Sequence, residues 1–311
     1  MGINYSKFIK EKIVEIKKIV KDKKALVATS GGVDSVTCAF LAHRALGENL
    51  IILFLDDGLM RENEAKEVSK IFIEKNIELQ VWDVQKNFFD ALKGKVDPEE
   101  KRKSFREVFY KTLNQAVKSY SADFLIQGTI AADIIETQKG IKTQHNVLSQ
   151  IGINPALFGL KIIEPLKELY KDEVRKVAKK LGVPKKIYLR QPFPGPGLAT
   201  RIIGEVTPER VEKVRMATSI VESELNNPKI FQAFPVLFND KATGIIDEKR
   251  MLGDIISIRI VESKNALTAK PYKIPWPKLE KIRDKILKKV PGVVKVVYDI
   301  TPKPPSTIEY V

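Results

Sequence analysis

The 311 residues carry 54 Lys and Arg against 39 Asp and Glu, a formal charge of +15, with one cysteine and two histidines. So few sulfur and imidazole groups exclude a disulfide framework, a redox cysteine pair and a multi-ligand zinc site; they suit a reducing cytoplasm, and any metal must be oxygen-bound. The positive excess points to anionic ligands, whether nucleotides or nucleic acid, or to a solvated lysine-rich surface.

Residues 1–20 place apolar side chains at helical spacing among Lys and Glu, without the apolar core of a signal peptide. The longest apolar run, about Leu50 to Leu55, is too short to cross a bilayer, so no membrane association is expected. Strand-like runs follow at Ala25 to Thr29, Leu50 to Leu55, Ile77 to Val81 and Phe124 to Gln127, alternating with helical patterns at Asp34 to Leu46, Glu62 to Lys75 and Lys101 to Lys118. That rhythm predicts an α/β fold with a doubly wound parallel sheet, whose ligands sit beyond the carboxyl ends of the strands. Residues 131–159 lose periodicity and read as a long loop or lid. Helical spacing returns at Lys171 to Leu181, and Pro192-Phe193-Pro194-Gly195-Pro196-Gly197 makes a stiff connection. Beyond it, helices at about Pro208 to Leu225 and Pro277 to Val290 and strands at Ala233 to Phe238, Asp254 to Val261 and Val293 to Ile300 predict an α+β module. The expected division is therefore 1–190 and 191–311.

The segment Ser30-Gly31-Gly32-Val33-Asp34-Ser35 stands between the first strand and the first helix of this rhythm. Paired glycines let backbone N–H groups approach a phosphate, and the helix N-terminus adds unpaired donors and partial positive charge. No Gly-x-x-x-x-Gly-Lys-[Ser/Thr] occurs, so this is not a Walker loop. Asp34 has two readings, a carboxylate suited to Mg²⁺ or a capping residue of the helix.

Ser-Gly-Gly-x-Asp-Ser resembles the PP-loop of the ATP pyrophosphatases, which cleave ATP between its α- and β-phosphates. Further segments narrow the resemblance: Phe54-Leu55-Asp56-Asp57-Gly58-Leu59, Asp97-Pro98-Glu99-Glu100-Lys101-Arg102-Lys103, Gln127-Gly128-Thr129-Ile130, Glu164-Pro165-Leu166-Lys167-Glu168-Leu169-Tyr170-Lys171-Asp172-Glu173-Val174-Arg175, Arg190-Gln191-Pro192-Phe193-Pro194-Gly195-Pro196-Gly197-Leu198 and Tyr298-Asp299-Ile300-Thr301-Pro302-Lys303-Pro304-Pro305-Ser306-Thr307-Ile308-Glu309. In this order they are similar to the ATP-pyrophosphatase part of the GMP synthetase family, in the form that exists as a separate subunit.

The resemblance implies a PP-loop domain followed by a dimerisation and acceptor-binding domain, and a homodimer. It implies a ligase that adenylylates the 2-carbonyl oxygen of xanthosine monophosphate (XMP) with ATP and Mg²⁺ and then admits ammonia, releasing GMP, AMP and pyrophosphate. ATP would meet Ser30, Gly31, Gly32, Val33, Asp34, Ser35, Asp56, Gly58, Gly128 and Thr129, with Asp34 also on the metal and Lys171 countering charge on pyrophosphate. XMP would meet Arg102, Lys303, Ile308 and Glu309, and the lid would carry Asp133, Glu136 and His145. Rival readings are a turn at Asp56 to Gly58, a surface lysine at 171, a solvated helix face at Arg102 and a frayed C-terminal tail whose removal deletes little apolar bulk.

Two departures from the family pattern stand out. Gln144 precedes His145 where a second histidine is usual, and Thr243-Gly244-Ile245-Ile246-Asp247-Glu248 lacks the usual Gly-Asp pair. Cys38, the only cysteine, lies inside a helix and has no place in a glutaminase, and no amidotransferase domain precedes residue 25, so a separate glutaminase subunit is the expected source of ammonia. Competing functions are a PP-loop enzyme that modifies tRNA, or a nucleotide-binding relative without turnover. The GMP synthetase reading involves no nucleic acid partner.

Overall fold

A computed structural model describes residues 3–138, 161–225, 227–246, 248–263 and 266–311. The chain clusters into two compact units, the first formed by 1–56, 63–84 and 109–190 and the second by 57–62, 85–108 and 191–311. The long break falls between Arg190 and Gln191, and the second unit also takes two excursions from the N-terminal half.

In the first unit, β1 (Ala25–Ala28), β2 (Leu50–Asp56), β3 (Gln80–Asp83), β4 (Phe124–Ile126) and β5 (Lys161–Ile163) form a five-stranded sheet among the described residues, in the order β3-β2-β1-β4-β5. Every pairing is parallel, with Val27 opposite both Ile52 and Ile126. The chain therefore reverses direction of growth at β1, where a doubly wound sheet opens its crevice. Ala25, Leu26 and Val27 are fully buried, as strands covered on both faces require.

Helix α1 (Tyr5–Val20) packs on α2 (Val33–Leu46) and α7 (Lys171–Leu181), which the single turn α8 (Lys185–Tyr188) follows. On α2, Val36, Cys38, Ala39 and Leu41 are completely buried, each large side chain contributing about 1.5–3 kcal/mol of hydrophobic stabilisation.

Helix α3 (Glu64–Ile73) ends through Asn76 at φ +53°, and the N–H of Ile77 bonds the carbonyl of Phe72 at 3.0 Å. Ile77 thus closes a helix instead of opening a strand, which is why β3 starts at Gln80. A second difference is α6 (Ala131–Gln138), a helix where the sequence reads as loop. Its first turn is closed by Asp133, whose carboxylate accepts the N–H of Ile130 at 3.0 Å.

The second unit holds α4 (Gln85–Leu92) and the first half of α5 (Pro98–Tyr120), followed by α9 (Pro208–Glu224), which is capped by the Thr207 hydroxyl on the N–H of Arg210. Its sheet is built on a long hairpin of β6 (Gln232–Ile246) and β7 (Lys249–Glu262). Along its other edge β7 takes β9 (Val293–Asp299) in parallel and then β8 (Lys270–Pro271) antiparallel. Helix α10 (Trp276–Lys289) packs against α9 and β9. Phe234, Val236, Val261, Ala269 and Ile308 form one buried cluster of this unit.

Candidate functional site

β1 ends at Ala28, and the N–H of Thr29 still bonds the Leu53 carbonyl at 2.8 Å, so the next residues leave the sheet at its carboxyl edge. Gly31 turns the chain at φ +76°; a β-carbon there would lie 2.6 Å from Val68 Cγ2 and 2.7 Å from Glu64 Oε1. Glu64 is buried and held by Arg190 through two hydrogen bonds, at 2.5 and 2.7 Å, so the turn rests on a fixed carboxylate.

Gly32 is the N-cap of α2 and no side chain caps this helix. The first-turn N–H groups, with their share of the helix dipole, are thus left for an anion. The Ser35 hydroxyl ties the loop together: it accepts the N–H of Ser30 at 3.1 Å, lies 3.2 Å from the Ser30 hydroxyl, and donates to the Gly32 carbonyl at 3.1 Å.

Asp34 does not cap α2. One of its carboxylate oxygens accepts the ammonium of Lys171, the first residue of α7, and the other is buried without a hydrogen-bond partner. Gly128, just past β4, packs directly on the loop: a β-carbon there would sit 3.1 Å from the carbonyl carbon and oxygen of Asp34 and 3.2 Å from the nitrogen of Ser35. Thr129 is buried beside it and donates to Glu164 Oε1 at 2.7 Å, where β5 ends. Ser30 to Ser35, Gly128 and Lys171 are therefore in one place. Asp56 ends the neighbouring β2, and its carbonyl accepts the N–H of Val84 at 3.0 Å.

Asp133 sits at the start of α6, and Glu136 lies on the same helix. His145, with Gln144 beside it, falls outside the described residues. Cys38 is wholly buried, and its thiol is pushed far up, first by burial and then by the charges of Asp34 and Glu164, so it is no nucleophile.

In the second unit Gly58 has φ +74°, with Phe89 and Gln85 filling the space where a side chain would be, and its carbonyl accepts Arg215. Arg102 is half-exposed on α5 and ion-paired to Glu99 one turn earlier. The C-terminal segment is anchored. Lys303 exchanges backbone hydrogen bonds with Ala269 at 2.9 and 3.1 Å and sends its ammonium to the Ala266 carbonyl at 2.9 Å. Ile308 is in the core cluster, and its carbonyl accepts Arg259 Nε at 2.8 Å.

The carboxylate of Glu309 accepts Gln232 Nε2 at 2.5 Å and meets Arg201 at 3.4 Å. Arg201 is 1% exposed, its guanidinium between the rings of Phe193 and Phe234 at 4.8 and 4.5 Å, with Nη1 left unpartnered.

Glu164 and Arg190 open two of the family-like segments without any role being legible there, and Glu64, Arg201 and Gln232 have no sequence signal of their own, because each acts through a partner far along the chain. Gln127, buried at the end of β4 with Oε1 unpartnered, was reachable from its place at a strand end.

Comparison with known proteins gives matches in both halves. The family described as NAD synthase matches residues 3–195, and the family described as GMP synthase C terminal domain matches residues 218–310. One subunit of the glutamine-hydrolyzing GMP synthase of Archaeoglobus fulgidus is 52% identical over 309 residues, covering 99% of this chain and all of its own length. The proteins of the same name from Pyrococcus furiosus and Methanopyrus kandleri are 50% and 46% identical, each over 98% of this chain and over 97% and 98% of their own lengths.

Proposed function

This chain belongs to the family of that glutamine-hydrolyzing GMP synthase subunit, and from that premise we propose that it performs the ATP-dependent amination of XMP to GMP. The 2-carbonyl oxygen of XMP attacks the α-phosphorus of ATP. The bond to the β-phosphate bridge breaks and pyrophosphate leaves with its electron pair. Ammonia then adds at C2 of the adenylylated purine, loses protons, and expels AMP.

The observation that carries the reading is the uncapped start of α2. Its free N–H groups, the Gly31-Gly32 turn and the Lys171 ammonium gather donors and positive charge where the β- and γ-oxygens develop charge, and leave the α-phosphorus to the acceptor. Gly128 belongs to this site because only a residue without a side chain lets β4 approach the loop so closely. Asp56 and Gly58 remain proposed adenosine contacts.

The unpartnered, buried Asp34 Oδ1 fits Mg²⁺, which prefers hard oxygen ligands. Among the described residues no group of three or more His, Cys, Asp or Glu is placed to hold a metal, so the protein's share is this carboxylate, with phosphate oxygens supplying others. The ion would offset charge on the departing pyrophosphate.

Glu309, Lys303, Ile308 and Arg102 are the proposed acceptor contacts, and Asp133, Glu136 and His145 the proposed lid. The division at 190/191 is likewise part of the proposal, with PP-loop chemistry before it and acceptor binding and dimerisation after it. Support for a homodimer comes from apolar side chains left in solvent on the second unit: Ile245 is 72% exposed, Leu252 70% and Ile300 72%. The relatives are each named as one subunit of a glutamine-hydrolyzing enzyme, which implies a companion, here proposed as a glutaminase that supplies ammonia. A cytoplasmic location suits the single cysteine. Among the described residues no helix is long and apolar enough to cross a membrane.

The matches run through both halves and leave tRNA modification or a turnover-free relative unfavoured. The test is incubation with ATP, Mg²⁺, ammonium and XMP. GMP, AMP and pyrophosphate in equal amounts are expected; ADP and phosphate would refute the assignment.

A further inference from the structure

Arg259 stands three residues before the end of β7, paired in register with Phe234 on β6 and Asp299 on β9, and is 0% exposed. Burying a guanidinium costs several kcal/mol unless it is fully paired, and an apolar side chain at such a position is often the more stable choice. Its partners explain what it gains. Nη1 donates to Asp299 Oδ2 at 2.5 Å and to the Thr301 carbonyl at 3.0 Å, Nη2 to the Thr307 carbonyl at 2.7 Å, and Nε to the Ile308 carbonyl at 2.8 Å.

Three of these four acceptors are main-chain carbonyls from both ends of one segment, 301–308, and the fourth is the side chain of the strand residue that leads into it. Asp299 is in turn fixed: Oδ1 accepts the N–H of Thr301 at 2.8 Å, and Oδ2 accepts the hydroxyl of Tyr310, also at 2.8 Å. Burial raises the Asp299 carboxyl, and these bonds with the Arg259 charge outweigh it, so the group is held below its ordinary range. Tyr310 contacts Ser257 at 3.2 Å, which closes the ring of contacts back onto β7.

We propose that Arg259 is a positioning residue for the acceptor nucleotide: it does not touch the ligand, but it fixes the loop from Asp299 to Glu309 so that Lys303 and Glu309 are presented with one geometry. The proposal rests on the reading of those two residues as acceptor contacts. Only the planar guanidinium fork reaches carbonyls on both limbs of the loop at once, and a lysine in its place keeps the charge while losing that span.

The test compares Arg259→Lys and Glu309→Gln with the unaltered chain in the ammonium-dependent assay, reading KM for XMP, KM for ATP and kcat, with amide hydrogen exchange across 299–311. For Arg259→Lys the expected result is a KM for XMP raised about tenfold or more, with KM for ATP within about twofold and faster exchange confined to 299–311. A purely structural role would move both KM values and exchange throughout the second unit together, and that result would overturn the proposal. If Glu309→Gln raises KM for XMP and Arg259→Lys does not, the positioning role alone is overturned. If Glu309→Gln leaves it unchanged, the reading of the segment as acceptor-binding fails and the proposal falls with it. Should Arg259→Lys not fold, Tyr310→Phe removes only the hydroxyl that steadies Asp299; a rise of about threefold in KM for XMP is expected, and no change would count against the arrangement.

Discussion

The ammonium of Lys171 neutralises one oxygen of Asp34 and leaves the other buried and unpartnered, although 137 residues separate the two in sequence. The Lys171 side chain is 39% exposed, so the pair itself adds only about 0–1 kcal/mol to stability. Its proposed role is chemical, and substitution separates that role from stability.

Asp34→Asn should therefore leave the melting temperature within a few degrees while lowering kcat/KM for Mg-ATP by about a hundredfold or more, the scale of losing a charged group that acts on the transition state. Titrating Mg²⁺ should show a weakened dependence. An unchanged magnesium profile would remove Asp34 from the metal site.

The adjacent glycines of the loop should respond in opposite ways. Gly31→Ala forces a β-carbon to within 2.6 Å of Val68 at φ +76°, and should cost about 1–3 kcal/mol of stability. At Gly32, with φ −72°, the nearest atom to a β-carbon is the Ser30 hydroxyl oxygen at 3.4 Å. Gly32→Ala should keep its melting temperature but bind ATP more weakly, because the methyl group intrudes on the anion's approach. Thermal melts and ATP titrations of both variants check this, and a stable Gly31→Ala would show that the turn has room.

Lys101 on α5 is buried and donates to the Ile202 carbonyl at 2.8 Å. Burial, and then the charge of Arg210, push its ammonium down from 10.5 to about 8. Between those values the unfolded chain holds the proton that the folded chain has released, so this group makes stability rise with pH over about 8 to 10.5, by up to about 3 kcal/mol. Below pH 8 both states are charged and the contribution is flat. Lys101→Met should abolish the rise, as measured by the difference in urea midpoints between the two proteins at pH 7.5 and pH 10; equal differences at both would refute it.

Glutamine should not replace ammonium for the isolated chain. Its one thiol, Cys38, is wholly buried in α2, and Cys38→Ala should retain full ammonium-dependent GMP formation. Glutamine-dependent product from protein free of any companion subunit would contradict this.

Regular periodicity made much of the fold legible. Lys171 to Leu181 is helical over the span its pattern marks, because Val174, Val177, Ala178 and Leu181 recur on one buried face. Helix α4 went unread, since only Phe88 and Leu92 of its eight residues are buried. The hairpin of β6 and β7 is longer than its apolar runs: beyond Phe238 its pairs join polar residues such as Lys241 with Asp254.

At the site, the loop and Lys171 were legible as motifs, while the Glu64–Arg190 buttress and the Arg201–Glu309 contact join residues 126 and 108 apart, and local pattern carries no trace of such pairs. The end of the chain differs in one respect from its reading as a tail with little apolar bulk. Ile308 is core, and cutting after Pro302 would strip Arg259 of the Thr307 and Ile308 carbonyls, so point substitutions are the sound probes there.

The separation of Asp34 from Lys171 also has a meaning in time. A ribosome adds about 5–20 residues per second, so the 137 positions from Asp34 to Lys171 take on the order of ten seconds to make. The strand on the far side of β1 is also late, for Leu26 must wait for Leu125. During that interval the nascent chain carries the Gly31-Gly32 turn, the proposed phosphate site, with neither β4 nor Lys171 beside it. Affinity for nucleotide should therefore be lacking until α7 leaves the ribosome and seats Lys171 against the loop, a little past the middle of the 311-residue chain.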